Sequence, residues 1–192
     1  MKKTTILATS ALLLAGIGGA ASAATDSVTG TVTVNGSVAA KCAITGSPSA
    51  TLEVNELSQA SGTVVPDFNN ATSTTVSFTV VCTSPNPGLS LSATPMNYAA
   101  GTTETGWTHT VHYTSTLQAQ AASGTNPAPL TYTTADALPA ASTESVGGPL
   151  ANASNNITIS ISNSHTTNAT DLLEASPTDG YTGTITFTVS PS

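Results

Sequence analysis

Positive charge is almost missing from this sequence: it has no arginine, and its only lysines are Lys2, Lys3 and Lys41. Nucleic acid and anionic lipid are bound through clustered cations, so both are poor partners for this chain. Charge of either sign is scarce, at 7% of residues, and aromatic side chains make up only 4%. The three histidines and ten acids are scattered, and no Gly-x-Ser-x-Gly elbow singles out one of the many serines, so acid–base and nucleophilic chemistry lack a site. His109 and His112 stand three apart in a predicted strand and point to opposite faces, and His165 is expected in a polar loop, so a shared metal is not expected either. No enzyme, no metal and no cofactor is predicted. Beyond residue 23 no apolar run approaches the roughly 20 residues that cross a bilayer as a helix, so no membrane span is expected once the leader is removed.

The leader itself is legible. Lys2 and Lys3 precede a short apolar stretch from Ile6 to Ile17, and Ala21-Ser22-Ala23 fits a small-residue cleavage site. That is the pattern of a secretory signal peptide over residues 1–23. Cleavage leaves Lys41 alone against ten acids, a formal charge of −9. In an exported chain, the two cysteines, Cys42 and Cys82, are most simply one disulfide. Closing a loop of that length stabilises a fold by roughly 4 kcal/mol through loop-closure entropy.

What is abundant is threonine, serine, alanine and valine, with apolar residues at 39%, too many for a disordered chain. Period-two alternation recurs. Val28, Val32, Val34 and Val38 share one face of the segment Val28 to Val38, interrupted by Gly30 and Gly36. Val76, Phe78, Val80 and Cys82 share another, Leu89 and Leu91 follow the turn signal SPNPG, and Trp107, His109, Val111 and Tyr113 alternate with polar residues. Ile157, Ile159 and Ile161 make a further face, and Tyr181, Ile185, Phe187 and Val189 the last. At least six strands bounded by Gly, Pro, Asn and Ser clusters predict one all-β domain, an antiparallel sandwich. Residues 114–156 read as long loops with one strand around Leu130 to Thr133, and Asp171-Leu172-Leu173-Glu174 as a single helical turn.

Three stretches resemble one family. SVTGTVTVNGSVAAKCAI, from Ser27 to Ile44, is similar to the mature N-terminus of archaic chaperone-usher pilins, which share the spore coat protein U domain. TVSFTVVCTS, around Cys82, resembles their second strand with its paired cysteine, and DGYTGTITFTV, Asp179 to Val189, resembles their closing strand after a Gly-Tyr corner. LEVNEL, Leu52 to Leu57, stands where the family often has an aromatic-Gly pair.

The resemblance implies an immunoglobulin-like sandwich that lacks one strand and is completed by a strand donated from a neighbour. Residues 24–38 would be the donor segment and 39–192 the sandwich domain. The donor residues would be Val28, Gly30, Val32, Val34, Gly36 and Val38. The edges of the acceptor groove would carry Ala43, Thr45, Tyr181, Ile185, Phe187 and Val189. Implied partners are copies of the chain or related subunits, head to tail, with a periplasmic chaperone and an outer-membrane usher. Implied function is a structural subunit of a pilus, fimbria or surface coat at the cell surface, serving adhesion or biofilm formation. Two other readings stand beside it. The first strand belongs to its own domain, and the protein is a complete secreted sandwich that binds glycan or a surface component through residues 114–156, with Trp107 and Tyr113 as platforms. A secreted hydrolase is the third reading, for which the sequence offers no site.

Overall fold

A computed structural model describes residues 31–99, 104–175 and 180–192. The leader, Val28 and Gly30 lie outside the described residues. The chain divides into two units, residues 1–36 and 37–192. In the first, residues 31–36 form no strand or helix, and Val32 and Val34 are 87% and 89% exposed.

The second unit is an all-β sandwich, as the alternation predicts. β1 (Cys42–Thr45), β2 (Thr75–Cys82), β3 (Gly88–Ala93), β4 (Met96–Asn97), β5 (Trp107–Thr108) and β6 (Thr110–Ala119) precede β7 (Leu130–Thr133), β8 (Ser142–Ser145), β9 (Ile157–His165), β10 (Leu172–Leu173) and β11 (Ile185–Ser190). The larger sheet runs β1-β2-β9-β6-β4, with β7 also paired to β6, and the smaller runs β11-β3-β8. All pairs in these two sheets are antiparallel. The longer strands turn an apolar face toward the other sheet: Leu91, Val111, Leu117 and Ile157 are fully enclosed between them. The chain passes from the smaller to the larger sheet between Ala93 and Met96. There a Cβ on Gly183 would lie 3.0 Å from both Met96 Cγ and the Thr94 carbonyl oxygen, so only glycine fits without a shift.

Buried polar groups extend the ladders. The Asn156 side chain accepts from Val80 N–H at 2.8 Å through Oδ1, and its amide donates to Val80 O at 2.7 Å and Ala151 O at 2.6 Å. It serves as one more pair of strand contacts where β9 begins, which is how a wholly enclosed amide is stable. Thr134 does the same at the irregularity between His112 and Thr114: its hydroxyl accepts from Tyr113 N–H at 2.9 Å.

Four expectations change. Residues 31–38 read as a strand but form none in the structure. Asp171 to Glu174 is no helical turn: Leu172–Leu173 is β10, parallel to β5, because Leu172 N–H donates to Gly106 O and Glu174 N–H to Thr108 O, while Leu173 N–H turns the other way to Gly62 O. Within residues 114–156, β6 runs on to Ala119 and Ser142–Ser145 is a strand on β3, beside the expected β7. His165 ends β9 as the cross-strand partner of His112.

Candidate functional site, a groove between two edge strands

Among the described residues β1 ends the larger sheet and β11 ends the smaller, and each is hydrogen-bonded to a strand on one side only. Alternation fixes which side chains each presents inward. Cys42 and Ile44 turn toward the interior, while Ala43 and Thr45 turn outward and are exposed. On β11, Ile185, Phe187 and Val189 lie opposite Ala93, Leu91 and Leu89 of β3 and share their face. The burial of those two strands differs. The inward residues of β3 are fully buried, whereas every inward residue of β11 is only half-buried. Ile44, Val76 and Phe78 on the facing side are half-buried as well.

The reason is an open groove between the two edges. One part encloses about 500 Å³ and is lined by Ile44, Leu52, Val54, Val76, Phe78, Tyr113, Ile159 and Ile161 on one side and by Gly183 to Phe187 on the other. A smaller part of about 240 Å³ lies toward the disulfide, between Cys42, Ile44, Val80, Phe187 and Val189. Phe78 and Phe187 meet across the floor, ring centroids 4.9 Å apart. No charged side chain is among the lining residues. Burial at the floor pushes the Tyr113 phenol up to about 12.

The expected disulfide joins Cys42 to Cys82, which face each other in the β1–β2 register, and so clamps one groove wall to the sheet behind it. Of the expected edge residues, Ile185, Phe187 and Val189 line the groove by side chain. Ala43 reaches it from the β1 backbone, Thr45 faces away, and Ile44 occupies the inward position between them. Tyr181 lies outside the groove. Its hydroxyl donates to Glu174 O at 2.9 Å, and its phenol is pushed up to about 12 by burial, with the Glu174 charge adding to it. Val38, at the start of the second unit, is 82% exposed and in no strand. Leu52 and Val54 were not foreseen as groove wall. They sit in a segment without regular structure, and only their spacing by two signals a shared face.

The remaining candidates do not converge. His112 is buried, with Nε2 3.1 Å from Asp136 Oδ1 and 3.2 Å from Thr167 Oγ1, and its ring packs 5.6 Å from that of His165. Among the described residues no group of three or more His, Cys, Asp or Glu side chains is arranged to hold a metal ion. Trp107 is 46% exposed, while Tyr113 is buried with its ring edge-on to Phe68, so the two do not form one sugar-binding platform. Among the described residues no helix is long and apolar enough to cross a membrane. No protein-family model, curated protein or solved structure matches the chain.

Proposed function

We propose that this protein is a structural subunit of an extracellular fibre or surface coat, assembled by donating a β-strand from one copy to the next and serving adhesion or biofilm formation. The observation that carries the reading is the groove. Two strand edges, unpaired among the described residues, flank a row of half-buried apolar side chains, an arrangement that costs free energy in water and is relieved when one more strand is laid in. The sandwich is then one strand short, and the valine-alternating segment 24–38 has the pattern that fills it. Main-chain hydrogen bonds to β1 or β11 supply affinity, and alternate side chains supply register. Burying the four valines Val28, Val32, Val34 and Val38 at about 1.5–3 kcal/mol each contributes roughly 6–12 kcal/mol before ordering costs. Contacts of this head-to-tail kind do not close on themselves, so they propagate a filament. A chaperone that covers the groove in the periplasm and an usher that exchanges it for the next subunit complete the scheme, and the disulfide fits such an oxidising compartment.

The test compares the chain from residue 24 with the chain from residue 39, by size-exclusion chromatography and by mobility in SDS without boiling. The full chain is expected to give SDS-resistant ladders, and the shortened one a small, unstable domain that a peptide of residues 24–38 stabilises. A full chain that is a stable monomer, and that unfolds when the segment is deleted, would mean that the strand belongs to its own domain.

A further inference from the structure

Residues 39–41 link the valine segment to β1, and one side chain of β2's continuation holds them. The Thr83 hydroxyl donates to Ala39 O at 2.9 Å and accepts from Lys41 N–H at 3.0 Å, while Thr83 N–H donates to Lys41 O at 2.9 Å. These bonds prolong the β1–β2 ladder one step beyond the Cys42–Cys82 pair. The smaller part of the groove opens at this same end, lined by Cys42 and Val189.

The position matters because a subunit with both a groove and a matching strand has a competing option, which is to fill its own groove. To lie along the free edge of β1, the segment ending at Val38 would have to reverse direction before Cys42. A hairpin loop takes about two to five residues, and residues 39–41 are the ones available. A turn there would swing the Ala39 and Lys41 peptide groups away from Thr83, but Thr83 binds them in line with β1.

We propose that Thr83 is a positioning residue that keeps the link extended and so blocks self-insertion, leaving the groove to the strand of a second copy. This rests on the strand-donation reading above. The partner is a second copy of this chain, and the Thr83 hydroxyl makes the choice between joining neighbours and closing on itself.

The experiment uses the chain from residue 24, refolded over a range of concentrations, as wild type, Thr83→Val and Thr83→Ser. Valine keeps the shape and the backbone bond to Lys41 but removes the hydroxyl's bonds to Ala39 and Lys41, and serine restores them. Light scattering and unboiled SDS mobility give the share of monomer. Amide hydrogen exchange of Ile185 to Val189 in the monomer fraction reports whether the groove is filled. Wild type and the serine variant are expected to ladder increasingly with concentration, with fast-exchanging β11 amides in the residual monomer. The valine variant is expected to hold a several-fold larger monomer share, independent of concentration, with those amides protected. A Gly-Ser-Gly-Ser insertion between Val38 and Ala39 gives the turn its slack without touching Thr83 and is expected to do the same. If the valine variant and the insertion both ladder like wild type, with unprotected monomer, Thr83 does not decide the outcome and the proposal falls while strand donation stands. If wild type itself is a concentration-independent monomer with protected β11 amides, both readings fall together.

Discussion

Two tyrosines show how the sandwich handles polar groups that it cannot leave in water. Tyr113 lies on the groove floor and Tyr181 closes the corner beside β10, and burial raises each phenol to about 12. An unfolded tyrosine ionises near pH 10. Between about pH 10 and pH 12 the unfolded chain therefore sheds phenolic protons that the folded one retains, and stability falls as pH rises through that window. Below about pH 10 neither tyrosine contributes any pH dependence. Urea denaturation at a series of alkaline pH values is expected to show a flat midpoint up to about pH 10 and a decline above it, and the decline should be shallower in Tyr113→Phe. An equally steep decline in that variant would assign the loss to other groups.

Among the strands, β11 and β3 pair over six residues yet differ in what their inner faces meet. Leu91 is fully enclosed, whereas its partner Phe187 is half-buried and rests on Phe78. Leu91→Ala is therefore expected to cost the isolated domain about 2–5 kcal/mol. Phe187→Ala should cost the same isolated domain clearly less, and its larger effect should appear as faster dissociation of assembled material in SDS. Equal losses in the isolated domain would mean that the groove is closed in solution. The contrast also marks where the sequence is readable. Val76, Phe78 and Val80, Leu89 and Leu91, and Ile157 to Ile161 were legible as strands because one side of each is buried and alternation records that side. Ser142–Ser145 has no apolar alternation and is a strand only because the β3 edge accepts it. Leu172–Leu173 reads as a helical turn because a two-residue strand is shorter than any period, and backbone groups of Gly62 and Gly106 fix it from far away in sequence. His165 reads as a loop residue because the last residues of β9 are polar, and β6 pairs with them all the same. Alternation marked the shared face of Ile185, Phe187 and Val189, and only the resemblance put that face at a groove edge; the parity on β1, Ile44 inward and Ala43 outward, needed the register with Val80 and Val81.

At the scale of the whole molecule the informative property is where charge is not. The groove is lined without a charged side chain, and residues 31–40 carry none either, in a chain that beyond residue 23 holds one lysine against ten acids. A junction between copies that buried residues 31–40 in this groove would form without bringing like charges into contact there, and it would draw on apolar burial and main-chain pairing, which salt does not screen. The alternating pattern of residues 28–38 specifies what a strand there would bury but not which chain buries it, and residues 31–38 form no strand in the structure. Val34, 89% exposed, separates the two questions. In the monomeric chain from residue 24, Val34→Asp should leave the unfolding free energy within about 0.5 kcal/mol of wild type, as expected of an exposed position. In the assembled state the same carboxylate would sit unpaired in an apolar groove, where its desolvation is costly. Ladder formation is therefore expected to be lost in Val34→Asp at neutral pH and partly regained below about pH 4, where the carboxylate takes up a proton. Wild-type ladders should be indifferent to salt across the whole range from low to molar concentrations. A variant that assembles normally would place Val34 outside the junction, and ladders that dissolve in salt would place the binding energy in charges rather than in the groove.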